Sequence, residues 1–276
     1  MAASIFDTVT LGNGVKMPVF GLGVYKVEEG DQVTETVKTA LKLGYRLIDT
    51  ASFYENEEGV GKAIKESGIP REEIFVTTKV WNSDQGEETT LKAFDESMRK
   101  LGLDYIDLYL IHWPVKGKYL GTWRALEKLY KEGRVRAIGV SNFKEHHLDD
   151  LLNNSSEKPA VNQVELHPLL SQEPLRDYCR EKSIQVEAWS PLSRGRFFDE
   201  PVLRMIASRH GKTPAQVILR WHLQNAIIAI PKSVTPERLK ENADIFNFEL
   251  NTEEMEEMNG LNRNQRFGAD PDHFEF

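Results

Sequence analysis

The sequence predicts an α/β fold: a closed (β/α)8 TIM barrel formed as one unit across residues 1–276, with an N-terminal β-hairpin and two extra helices. Three observations predict it. Short apolar runs alternate with amphipathic stretches along nearly the whole chain. The alternation repeats about eight times, which means parallel strands joined by helical crossovers. An Asn13-Gly14 pair between two strand-like stretches precedes the first repeat. Pattern alone leaves a doubly wound sheet open, and eight repeats point to closure.

Taken in order, Thr8 to Leu11 and Val15 to Pro18 flank Asn13-Gly14, a two-residue hairpin turn placed to plug the barrel floor. Val19-Phe20-Gly21 reads as the first barrel strand, followed by Leu47-Ile48, Ile74-Phe75-Val76, Ile106 to Ile111, Ile138 to Val140, Val161 to Val164, Ile184 to Ala188 and Ile227 to Ile230. Helical periodicity fills the intervals. Val33, Val37, Ala40 and Leu41 share a face that stops at Gly44; Leu91, Phe94, Met98 and Leu101 share another before Gly102. Trp123, Leu126, Leu129 and Tyr130 form a third stripe ending at Gly133. Thr213-Pro214-Ala215-Gln216 supplies an N-cap, a proline at the first helical position and a capping-box glutamine.

Composition removes several function classes. A net charge of −8 with pI near 5.5 argues against nucleic acid and against anionic membrane surfaces. The single cysteine, Cys179, permits no internal disulfide and fits a reducing compartment. The N-terminus has no signal-peptide pattern. No run approaches the roughly 18 apolar residues that span a bilayer. A cytoplasmic monomer is the expectation.

In such a barrel the chemistry lies at the carboxyl ends of the strands. That rule selects Asp49, Lys79, His112, Ser141-Asn142, Gln163, Trp189-Ser190 and Lys232-Ser233. Each alone is more often a cap, loop or packing residue; together, Asp, Lys and His at one mouth suggest proton chemistry without a metal. His146-His147 begin a helix, His112 and His167 lie on separate units, and no zinc-protease spacing occurs. Gly21-Leu-Gly23 lacks the third glycine of a dinucleotide fingerprint, and Gly59-Val-Gly61-Lys62 lacks P-loop spacing.

The run Gly44-Tyr45-Arg46-Leu47-Ile48-Asp49-Thr50-Ala51-Ser52-Phe53-Tyr54 resembles the first signature of the aldo-keto reductase superfamily. Tyr105 to Pro114 resembles the second, and Ile230-Pro231-Lys232-Ser233, with Arg238 and Glu241-Asn242 following, the third. Gly139 to Phe143, Asn162 to Glu165 and Trp189 to Leu192 match as well, so the resemblance spans essentially the whole chain. Within the family the chain is similar to bacterial glyoxal, methylglyoxal and 2,5-diketogluconate reductases and to a trypanosomal prostaglandin synthase.

The resemblance implies an NADPH-dependent reductase of small carbonyl substrates. Its catalytic tetrad falls on Asp49, Tyr54, Lys79 and His112, with Tyr54 the proton donor and Lys79 expected to lower its pKa. It places Ser141, Asn142 and Gln163 at the nicotinamide carboxamide and Trp189 on the nicotinamide ring, with Gly23, Val24, Asp49, Ser190, Pro191 and Leu192 also binding the NADP cofactor. Lys232, Ser233 and Arg238 fall at a 2′-phosphate, Glu241 and Asn242 at adenine, and Val234 among the cofactor contacts. Tyr25, Phe53, Trp81, His112 and Trp113 would wall the substrate, closed on one side by the tail through Phe267, Phe274 and Phe276. A regulatory NADPH-binding subunit of the potassium-channel β type shares the fold; so does a metal-dependent sugar isomerase, whose ligand spacing is missing.

Overall fold

The computed structural model describes residues 2–276. It opens with an antiparallel hairpin, β1 (Thr8–Thr10) and β2 (Lys16–Pro18). Thr10 pairs with Lys16, and the Leu11 N–H donates to Val15 O at 2.8 Å. The connection is therefore Gly12 to Gly14, one residue longer than the Asn-Gly turn predicted from sequence. Gly14 takes φ +87°, the left-handed residue that a three-residue hairpin loop needs. The Asn13 side chain accepts the Val15 N–H and donates to Arg136 O.

Eight parallel strands follow, each bonded to the next in chain order: β3 (Leu22–Gly23), β4 (Leu47–Asp49), β5 (Phe75–Val80), β6 (Ile106–Ile111), β7 (Val135–Ser141), β8 (Val161–Glu165), β9 (Gln185–Trp189) and β10 (Ile228–Ala229). First and last meet. The Gly21 N–H donates to Ala229 O at 3.0 Å and the Gly23 N–H to Pro231 O at 3.3 Å, while Val19 O accepts the Ala229 N–H. The ring is closed, which excludes the doubly wound alternative. It also explains why the first strand lies later than Val19–Gly21: those residues form the closing seam, with Phe20 bridged to Ala229. A Cβ on Gly23 would lie 2.9 Å from Ile230 O, so glycine lets the seam close.

Helices α1 (Asp31–Lys42), α2 (Glu57–Glu66), α3 (Glu87–Leu101), α4 (Tyr119–Lys131), α5 (Glu145–Asn153) and α6 (Glu173–Glu181) each follow one strand. α7 (Pro201–His210) and α8 (Pro214–Gln224) both follow β9, and α9 (Pro236–Ala243) and α10 (Thr252–Asn259) follow β10, giving the two extra helices. Gly44 and Gly102 stop their helices with φ of +99° and +60°. Thr213 caps α8, with its hydroxyl on the Gln216 N–H and the Gln216 side chain returning to the Thr213 N–H. Among the described residues no helix is long and apolar enough to cross a membrane.

Successive strand residues face opposite sides, and the core divides accordingly. Ile48, Val76, Tyr109, Ile111, Val140, Val164 and Val186 pack outward against the helices. Leu47, Phe75, Leu108, Leu110, Ala137, Val161, Ile228 and Ile230 point inward and form a separate cluster with Leu11 and Met17 of the hairpin, which plugs the floor. Further along the same inward rows come Asp49, Lys79, Ser141, Gln163 and Glu187, all buried. Along β4, β5, β7 and β8 the barrel interior changes from apolar to polar within two to four residues.

Candidate active site

Lys79 is the centre of the mouth. From β5 its ammonium donates to Asp49 Oδ2 at 2.7 Å, to Thr50 O at 3.0 Å and to the Tyr54 hydroxyl at 3.2 Å. An ammonium has three hydrogens and no lone pair, so these acceptors satisfy it completely. Because the Tyr54 oxygen accepts from Lys79, the hydroxyl's own hydrogen is free to point elsewhere. Tyr54 sits on the 3-10 turn Ser52–Tyr54 directly after β4, so one loop carries both Asp49 and Tyr54. The Ser52 hydroxyl donates to Lys79 O and ties that loop to β5.

Burial dominates the acid–base balance. It pushes the Tyr54 phenol up to about 12, outweighing the Lys79 charge, which pulls it down. The sequence expectation of a lowered pKa thus holds for the Lys79 contact alone; net, Tyr54 stays protonated at neutral pH. Burial pulls Lys79 down, but Asp49 and Tyr54 carry it to about 12. Burial pushes the Asp49 carboxyl up, while Lys79 and the Gln163 amide pull it down; with its ammonium partner at 2.7 Å, the contact is an ion pair. His112 is held well below the usual imidazole range by burial and by the Lys79 charge, and is neutral. Its buried Nδ1 has no hydrogen-bond partner among the described residues.

Aromatic rings wall the space above this group. His112 lies edge-on to Tyr54 and Trp81, with centroids at 5.7 and 5.0 Å. Phe53 stacks on Trp81 at 3.8 Å, and Tyr25 leans on Tyr54 at 5.0 Å. The tail completes the wall: Phe276 lies parallel to Trp81 at 5.9 Å, Phe274 packs on Trp113 at 5.2 Å, and Asn82 Nδ2 donates to Phe276 O. Tyr25, Phe53, Trp81, His112 and Trp113 therefore lie at one mouth with Phe274 and Phe276, whereas Phe267 packs on His167 at 5.3 Å. Asn82 was not foreseen.

Ser141, Asn142 and Gln163 also converge there, but much of their bonding is internal. The Ser141 hydroxyl donates to Gln163 O, and Asn142 Nδ2 to His112 O and Ser141 Oγ. Gln163 Nε2 bridges Asp49 Oδ1 and Glu187 Oε2, each at 2.8 Å. Trp189 Nε1 donates to Asn142 Oδ1. Asn142, Ser190, Ser193 and Arg194 all hold positive φ without being glycine, a cluster of backbone strain typical of binding loops. Val24 is buried, its N–H on Asp49 O; Pro191 is buried and Leu192 half-buried.

Near the start of α9, Lys232 and Arg238 are exposed and have no carboxylate partner among the described residues, while Ser233 and Asn242 are buried. Two unpaired cations beside a helix N-terminus suit a phosphate dianion. Glu241 is engaged elsewhere, accepting the Thr213 hydroxyl at 2.8 Å. The residues present therefore fit a nucleotide that carries an extra phosphate.

Sequence reasoning missed Glu187, a carboxyl on an inward row whose one hydrogen-bond partner among the described residues is Gln163. Burial and the Asp49 charge push it up to about 8. A glutamate inside the apolar run Val186-Glu187-Ala188 was the available signal. It also missed a latch: Lys144 Nζ binds Asp270 at 2.6 Å and Asp272 at 2.7 Å, and His146 and His147 face Asp272. The two histidines, dismissed as ligands from their spacing, thus lie with a carboxylate that the tail brings from far along the chain. His147 Nδ1 accepts the Lys144 N–H, which fits a helix-capping and tail-fastening role.

The sequence profile described as "Aldo/keto reductase family" matches residues 19–263. The chain is 60% identical over 276 residues to the glyoxal reductase of Bacillus subtilis, covering 100% of each. It is 46% identical to the methylglyoxal reductase of Escherichia coli, covering 96% of this chain and 97% of that one. The crystal structure of a Bombyx mori aldo-keto reductase in complex with NADP superimposes with a TM-score of 0.91 at 37% identity, covering 99% of this chain and 97% of that chain. Family profile, full-length relatives and barrel architecture agree: the chain belongs to the aldo/keto reductase family.

Proposed function

We propose that this NADP-dependent aldo-keto reductase reduces small aldehydes and ketones, glyoxal-type dicarbonyls among them, with Tyr54 delivering the proton. Bound NADPH supplies a hydride to the carbonyl carbon. The protein's part is to hold the carbonyl oxygen and give it a proton as negative charge develops there. The Tyr54 hydroxyl, held as an acceptor by Lys79, has its own hydrogen available to the pocket. An alkoxide is a stronger base than a phenolate, so transfer from a raised-pKa phenol remains downhill. Lys79 then stabilises the tyrosinate, and Asp49 keeps Lys79 charged and aimed. Neutral His112 offers a donor on the other side of the same oxygen and fixes its position.

The three-way contact of Lys79 with Asp49, Thr50 and Tyr54 carries this reading. Lys232, Ser233 and Arg238 are assigned to the 2′-phosphate, Asn242 to adenine, and Ser141, Asn142, Gln163 and Trp189 to the nicotinamide. The assignment to small dicarbonyls rests on the full-length similarity to glyoxal and methylglyoxal reductases and on the tail-closed aromatic wall. The test is loss of nicotinamide absorbance with NADPH and a carbonyl panel headed by glyoxal and methylglyoxal. Tyr54→Phe is expected to lower kcat by about 10²- to 10⁴-fold with NADPH affinity retained; an equally active variant rules out Tyr54 as the acid.

A further inference from the structure

The C-terminal segment does more than wall the substrate side. Glu165 ends β8 and is in register with Trp189 of β9. Its side chain is fully buried. Its carboxylate accepts the Phe267 N–H through Oε1 and the Gly268 N–H through Oε2, both at 2.8 Å, and pairs with His167 Nε2 at 3.0 Å. Burial pushes this carboxyl up, but His167 and the two amides hold it below the usual carboxylate range. A barrel carboxylate is thus committed to two backbone amides of the tail.

The amides it holds lie against the indole. A Cβ on Gly268 would be 2.4 Å from Trp189 Cη2 and 2.9 Å from Glu165 Oε2, so the tail backbone passes closer than any side chain permits. Trp189 Nε1 donates to Asn142 Oδ1 at 2.8 Å. The indole is fixed by Asn142 at its nitrogen and met by the tail at its six-membered ring. Beyond Gly268 the same segment is fastened by Lys144 and then reaches Trp113 and Trp81 through Phe274 and Phe276.

Resting on the reading that Trp189 faces the nicotinamide, we propose that Glu165 and Gly268 are positioning residues that seat the tail against Trp189, so that the segment walling the carbonyl pocket also sets cofactor affinity. Linkage makes the effect reciprocal. Seating the tail tightens NADPH, and NADPH protects the tail.

The test uses the full chain. NADPH affinity is measured by fluorescence titration, and amide hydrogen exchange over residues 263–276 is followed with and without NADPH. In the native protein NADPH is expected to slow exchange at Phe267 and Gly268. Gly268→Ala is expected to weaken NADPH about tenfold, within the usual span of coupling between sites. Lys144→Ala, which loosens the tail at its exposed latch, is expected to weaken NADPH in the same direction and to speed exchange at Phe267 and Gly268. Phe274→Ala with Phe276→Ala, which strips the substrate wall and leaves the tether, is expected to raise the carbonyl KM while NADPH affinity stays within about twofold. The coupling is overturned if folded Gly268→Ala binds NADPH as the native protein does, or if NADPH leaves Gly268 exchange unchanged. Should Gly268→Ala not fold, unaltered NADPH affinity in Lys144→Ala overturns it instead. NADPH binding with this coupling but no carbonyl turnover refutes the reductase reading and leaves the tether standing.

Discussion

The floor and the mouth of this barrel are built by the same strands, two to four residues apart, and answer to different physics. At the floor, Leu47, Phe75, Leu108 and Leu110 point inward onto Met17 and Leu11, and burial alone stabilises them. At the mouth, Asp49, Lys79, Gln163 and Glu187 point into the same interior with almost no solvent exposure. Burying such groups is unfavourable unless each is paired. The pairing is nearly complete: Lys79 has three acceptors, and Gln163 joins both carboxyls. Among the described residues, the buried atoms here without a hydrogen-bond partner include Glu187 Oε1 and His112 Nδ1, with Thr77 Oγ1 on the inward row of β5. A polar layer kept so close to full satisfaction positions chemistry, and the floor beneath supplies the stability that permits it.

Lys79→Met is the largest expected effect and tests whether that division is clean. It leaves Asp49 buried without its cation, a loss of about 3–5 kcal/mol by analogy with other broken buried pairs. It also removes the tyrosinate's stabilising charge, so kcat is expected to fall by about 10²- to 10⁴-fold. Denaturant unfolding and steady-state rates measure both; a stability loss without a rate loss would make the mouth a structural network only. Phe75→Ala is the floor's counterpart. Truncating this buried ring is expected to cost about 3–5 kcal/mol, with kcat/KM of the folded fraction unchanged. A rate loss there would show that floor packing reaches the tetrad.

A smaller effect separates the mouth from its rim. Lys232→Met with Arg238→Ala removes exposed cations, so melting temperature is expected to hold. NADPH is expected to weaken about 10- to 100-fold and NADH hardly at all. Parallel losses for the two cofactors would remove the 2′-phosphate from this surface.

How much was legible in the sequence follows the same division. The floor and the outward-facing core were legible because apolar runs and helical stripes report burial directly. The closing seam was misplaced because Val19 to Gly21 bond across the ring, a partnership no local pattern records. At the mouth, Asp49, Lys79 and His112 were found by asking which polar residues end apolar runs. Glu187 was hidden because a single glutamate among valine and alanine gives no period. Tyr54's raised pKa was hidden because burial, the winning influence, is a property of the assembled barrel. The tail contacts to Glu165, Lys144 and Trp81 join segments far apart in sequence, and only the fold brings them together.

Glu187 gives the finest test of the contrast, because it is the less well paired of the two carboxyls that Gln163 joins. Its carboxyl is pushed up to about 8 by burial and by the Asp49 charge, against roughly 4.3 for an ordinary glutamate. Between those values the folded protein holds a proton that the unfolded chain has released, so stability falls as pH rises through this window. The contribution is fully present below the unfolded pKa and is lost as pH rises through the folded one. Glu187→Gln keeps the shape and an acceptor for Gln163 but cannot ionise. Its melting temperature is therefore expected to fall less than the native protein's between pH 5 and about 8.5, with only a modest change in kcat because Lys79 and Tyr54 keep their contacts. If the two proteins lose stability in parallel over that range, Glu187 is ionised throughout and the polar layer tolerates two carboxylates on one glutamine.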